Sequence, residues 1–139
     1  MVDELRVRGL LDRMGAEIDG LRRLAGHGDA ELRRDEDLLA AVKYRFIVAL
    51  EVCIDLGRHV VASKGLRAPL DYADVFAVLH EADLLDAETA TQLSDTARFR
   101  NLLVHGYATV DDRRVVEILR TRLDDLMRFR TALARAALG

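Results

Sequence analysis

From residue 3 to about residue 25, Val7, Leu11, Met14, Ile18, Leu21 and Ala25 recur at alternating intervals of four and three. That is the stripe of an amphipathic helix. Gly26 and Gly28, in AGHGD, end it. The spacing predicts a longer helix over about 35–64, with Leu39, Val42, Phe46, Ala49, Leu50, Cys53, Ile54, Val60 and Val61 forming a face broad enough for a central position. The glycine and proline of KGLRAP break it. Asp71 is a fitting N-cap for a short third helix through about Leu84, with Asp74 in its first turn. Asp86 caps a fourth, running to about Tyr107, and Asp111 a fifth. In the fifth, Val116, Leu119, Leu123, Leu126, Phe129 and Leu133 form the buried stripe. No alternating period-two segment rivals these, and no internal repeat or low-complexity tract interrupts them. The expected fold is all-α: one domain over residues 1–139, an up-and-down bundle of about five helices. The second and fifth helices have apolar faces wide enough for both a core and a subunit interface, so a homodimer is expected.

Composition narrows the function classes. The 139 residues are 50% apolar and 32% charged, a globular balance. Aromatics are scarce at 5%, which argues against a platform that stacks successive bases. No apolar run approaches the ~20 residues of a membrane span, and the start, MVDELRVRGL, is too charged for a signal peptide. The one cysteine, Cys53, has no partner for an internal disulfide, so a cytoplasmic location is expected. Net charge is −3, but its distribution matters more. Residues 68–95 carry seven acidic groups and no basic one, whereas 43–67 and 96–130 are each net +3. Phosphate binding must therefore be local.

The densest chemistry lies in Arg98-Phe99-Arg100-Asn101-Leu102-Leu103-Val104-His105-Gly106-Tyr107. On an ideal helix Arg100 and Tyr107 differ by ~700° and share a face, and Asn101 and His105 are one turn apart. Arg100 and His105 lie ~140° apart, so they converge on one atom only if side chains reach, the helix unwinds at Gly106, or a second copy completes the site. A guanidinium fork matches phosphate oxygens. An imidazole gives and takes protons near neutrality. The pair suits cleavage of RNA by its own 2′-hydroxyl; it also suits a helix end where His105 caps carbonyls and Arg100 makes a surface ion pair.

RNLLVHGY resembles the Arg-Asn-x-x-x-His-x-Tyr signature of HEPN-domain proteins, specifically the HepT-like toxins of minimal-nucleotidyltransferase toxin–antitoxin pairs. VALEVCIDLGRHVVASKG resembles that family's long second helix, and the stretch from Pro69 through Leu119 its capped third, motif and closing helices. The first thirty residues match only as a generic amphipathic helix. The resemblance implies a HEPN-like homodimeric bundle with a composite cleft at the two-fold and metal-independent endoribonuclease activity, with no cofactor. It implies Arg100 and His105 as the catalytic pair, with Asn101 orienting one of them. It also implies a cognate nucleotidyltransferase antitoxin that silences the site by adenylylating Tyr107, setting charge and bulk beside Arg100.

Other residues enter as candidates. Glu51 and Asp55, one turn apart on the second helix and followed by His59, form either a solvated stripe or a support that fixes Arg100 or His105. As metal ligands these three are a poor reading. Cys53 reads as core, and His27 and His80 as surface residues. Arg58, Lys64, Arg67 and Arg98 are candidates to guide RNA, or simply solubilising charge. The acidic segment would repel RNA and could meet a basic antitoxin surface. Two rivals use the same residues: a non-catalytic dimer binding a nucleotide or a nucleotidyltransferase, and a plain helical scaffold.

Overall fold

The computed structural model describes residues 2–105 and 110–139, which form seven helices: α1 (Glu4–Leu24), α2 (Asp29–Arg34), α3 (Glu36–Ser63), α4 (Asp74–Glu81), α5 (Ala87–His105), α6 (Asp112–Thr121) and α7 (Leu123–Leu138). The starts follow local chemistry. Carboxylates of Asp3, Asp35, Asp86 and Asp111 accept the free N–H groups of Arg6, Asp37 and Leu38, Thr89, and Arg113. Asp71 accepts the N–H of Asp74.

The long α3 is the axis. It packs against α1, α2, α4, α5, α6 and α7 and buries Phe46, Leu50, Cys53, Leu56 and Val60. α1 runs antiparallel to it, as contacts from Asp3 to His59 and from Glu17 to Arg45 show. α7 crosses α1, with Arg130 Nε donating to the Leu11 carbonyl. Phe76 of α4 meets Phe129 of α7 edge to face, with ring centres 5.5 Å apart. Gly57 permits the close approach of α4 to α3, because a Cβ there would lie 2.6 Å from Val75 Cγ1. Among the described residues no helix is long and apolar enough to cross a membrane.

Three departures from the pattern stand out. The six-residue α2, anchored by buried Leu32, was not expected. The expected fifth helix is two helices, broken at Arg122, and Leu123 is only half-buried. No glycine or proline marks that break. α6 buries its stripe against α2 and α3, and α7 against α1, α3 and α5, so one hydrophobic pattern serves two packing directions. The third helix also stops early, at Glu81 rather than about Leu84.

Candidate active site

α5 delivers Arg100 to the protein interior. Its inward face carries Leu93, Thr96, Ala97, Phe99 and Leu103, and Arg100 falls in the same buried sector. Such a cation needs partners on every side. Nη2 donates to Glu51 Oε1 of α3 at 2.5 Å, and Nη1 to Asn101 Oδ1 at 3.1 Å. The ring of Tyr72 lies over the guanidinium, its centre 5.6 Å from Cζ, a cation–π distance. Nε is buried and has no hydrogen-bond partner among the described residues. Arg100 is thus held at both terminal nitrogens and on one face, with a polar N–H to spare.

His105 is the last residue of α5 and is exposed, with no partner among the described residues. Asn101, whose oxygen is taken by Arg100, is half-buried. Tyr107 lies outside the described residues. Leu102 and Val104 are exposed on this end of α5, and Leu70 and Tyr72 on the segment before α4.

That segment is fastened by Arg67. Its guanidinium takes both oxygens of Asp74, at 2.7 and 3.0 Å, and both of Glu81. The Asp74 carboxylate also accepts the Leu70 N–H. Arg67, and then that N–H, hold the Asp74 carboxyl down to about 2. Arg67 likewise lowers Glu81. The clasp fixes the strand of chain that carries Tyr72 to Arg100.

The remaining candidates separate. Asp55 does not reach Arg100; it lines a groove with Arg58 and His59 near the end of α3. Lys64 is exposed at the C-cap of α3. Arg98 is paired with Asp95 at 3.0 Å. The reading of Arg67 as an RNA guide gives way to the clasp, because two carboxylates occupy its guanidinium. The acidic segment is correspondingly less bare, since Asp74, Glu81 and Asp95 all have arginine partners. His27 pairs with Glu31, and the His80 ring bonds the Leu85 carbonyl. Among the described residues no cluster of His, Cys, Asp and Glu has the geometry of a metal site. Sequence reasoning missed Tyr72, a lone aromatic in a connection with no local signal of its destination.

α5 carries a buried arginine fork and, five residues on at its end, an exposed imidazole: the first can hold a phosphate oxygen and the second can move a proton. A family profile described as "Ribonuclease HepT-like" matches residues 14–133. The chain belongs to the HepT-like ribonuclease family. Among similar proteins, the mRNA nuclease HepT of Shewanella oneidensis is 25% identical over 112 residues, covering 81% of this chain and 84% of that protein. A putative RNase of Archaeoglobus fulgidus is 30% identical over 103 residues, covering 74% and 76%. The solved structure of a tri-AMPylated Shewanella oneidensis HEPN toxin in complex with MNT antitoxin superposes with a TM-score of 0.87 at 22% identity, covering 97% of this chain and 99% of that one. The all-helical HEPN architecture of this HepT-like ribonuclease is thereby established.

Proposed function

We propose that the protein is the toxin of a toxin–antitoxin pair, a metal-independent endoribonuclease using Arg100 and His105. The observation that carries this reading is the state of Arg100: a nearly buried guanidinium aligned by Glu51, Asn101 and Tyr72, whose Nε–H has no acceptor among the described residues. A phosphodiester oxygen has the chemistry to pair with such a guanidinium. In the reaction, an imidazole removes the proton of the RNA 2′-hydroxyl, and the 2′-oxygen attacks the adjacent phosphorus. The bond to the 5′-oxygen breaks, and that oxygen takes a proton from an acid. Arg100 stabilises the extra negative charge of the pentacoordinate state. The products are a 2′,3′-cyclic phosphate and a 5′-hydroxyl.

Two proton steps ask for two groups, and one chain offers His105. A homodimer that brings the ends of two α5 helices together supplies both. The exposed Leu70, Leu102 and Val104 beside the site give such a pairing an apolar surface. The HEPN toxin of Shewanella oneidensis is AMPylated and bound to an MNT antitoxin. For this chain we place the same control at Tyr107: its hydroxyl oxygen attacks the α-phosphorus of a nucleoside triphosphate held by a nucleotidyltransferase antitoxin, and pyrophosphate leaves. The added phosphodiester then competes with RNA for Arg100.

The test is incubation of unmodified protein with mixed RNA in EDTA, alongside Arg100→Ala and His105→Ala proteins checked for folding. Cleavage by wild type alone, leaving cyclic phosphate ends, is the expected result. Equal cleavage by all three would overturn the assignment. No cleavage by a protein whose mass shows unmodified Tyr107 would leave the non-catalytic binding dimer as the better reading.

A further inference from the structure

The groove at the junction of α1 and α3 has no role in the chemistry above. It measures about 580 Å³, within the usual range for small-molecule sites, and Arg6, Asp55, Arg58, His59, Leu66 and Pro69 are among its walls. Most arginines on α5, α6 and α7 are spent on carboxylates, whereas Arg6 and Arg58 have no ion-pair partner among the described residues. His59 Nε2 accepts the N–H of Asp3 at 3.2 Å, so the neutral ring carries its proton on Nδ1. One carboxylate, Asp55, stands among these donors. Leu66, Ala68 and Pro69 add an apolar wall.

A bare anion would meet Asp55 as a repulsive neighbour. A nucleotide meets all three features: a phosphate for the guanidiniums, an apolar base face for the Leu66 and Pro69 wall, and a base amino group for the Asp55 oxygen. The groove also lies on the path to the site. Arg58 follows Glu51 by seven residues on α3, two turns along the same face, and Glu51 holds Arg100. At ~1.5 Å per residue that is about 10 Å, roughly three stacked nucleotides at ~3.4 Å each.

We infer that this groove binds one nucleotide unit of the RNA strand, about three positions from the phosphate that Arg100 contacts. The inference rests on the ribonuclease reading, and its test is one of binding alone. A short fluorescein-labelled single-stranded oligonucleotide, 2′-O-methylated throughout, has no 2′-hydroxyl to react, so it reports affinity whether or not the protein cleaves. Fluorescence anisotropy is followed against salt for wild type, for Arg6→Ala/Arg58→Ala, and for a charge-matched control, Arg22→Ala/Arg23→Ala. The control pair is exposed at the opposite end of α1. The groove variant should lose roughly tenfold in affinity at low salt and flatten the dependence of log affinity on log salt by ~0.7 per phosphate contact removed. The control should stay within about twofold of wild type, since general charge does not make a site.

Equal losses in the two variants, or no loss in the groove variant, would overturn the inference. AMP, titrated calorimetrically, forms the other arm. AMP binding abolished by the groove substitutions, with RNA affinity unchanged, would make this a free-nucleotide site and overturn the RNA assignment. Cleavage of ordinary RNA by the wild-type protein, run in parallel, reports separately on the ribonuclease reading.

Discussion

Two carboxylate–arginine pairs on α3 are chemically alike and built in opposite senses. In the pair between Glu17 and Arg45, the carboxylate is buried and the arginine half-buried, with side chains 9% and 34% accessible. In the pair between Glu51 and Arg100 the burial is inverted, 48% for the carboxylate against 11% for the guanidinium. Glu17 has both oxygens met, one by Arg13 and one by Arg45. Arg100 keeps Nε unmet. The first pair closes on itself: a buried anion surrounded by cations that reach in from solvent. The second leaves a buried cation whose counter-ion faces water, with donor capacity unspent. A buried charge is tolerated only when paired and hydrogen-bonded, and among the described residues the second pair leaves one buried donor without an acceptor.

Substitution at the two pairs should therefore move different observables. The largest effect is on cleavage: Arg100→Ala and His105→Ala should each lower the rate about 100-fold or more, measured on a defined RNA. His105→Ala should leave the melting temperature unchanged, because the side chain is exposed and unpartnered. A large fall in melting temperature for that variant would mean the histidine is structural. Glu51→Gln keeps an acceptor for Arg100 but removes the charge, and should cost about tenfold in cleavage by loosening the guanidinium. Arg45→Ala should do the reverse, destabilising by about 1–2 kcal/mol in urea unfolding while cleavage stays within about twofold. A catalytic defect there would erase the distinction between the pairs.

The smallest effect is at the Arg67 clasp. Asp74 is held near 2 in the folded protein, below its ordinary 3.8, so its contribution is present above about pH 3.8 and is lost as pH falls through about 2. Asp74→Asn should flatten the drop in melting temperature across that window. An unchanged acid limb in the variant would show that the clasp adds nothing.

Much of this organisation is legible in the chain because its signals are local. The caps at Asp86 and Asp111 and the stripes of α1 and α3 are near-neighbour patterns, and the structure follows them. The motif is local too, but the pattern offers Glu51 and Asp55 alike, as support or solvated stripe, and only the structure brings Glu51 to Arg100. The break at Arg122 is not legible, since an unbroken apolar stripe conceals a change of packing partner. Nor is Tyr72 over Arg100, a contact spanning 28 positions that nothing near either residue announces. The role of Arg67 is illegible for the same reason: a surface cation and a clasp look alike until Asp74 and Glu81 come round on α4 to meet it. Long-range pairing, unlike periodicity, is decided by tertiary geometry.

The sulfur chemistry of the core gives the molecule a built-in reporter. Cys53 is fully buried, with its Sγ 3.8 Å from Met14 Sδ, and burial pushes its thiol well above the usual range. A thiol reagent added to the native protein meets no reactive thiolate until the helices around α3 part. The rate of alkylation at this single atom thus counts openings of the interior, and ligands that bind the folded state should slow it in proportion to their occupancy. Any cysteine placed on the surface would, in turn, be the only one in the chain to accept a label quickly.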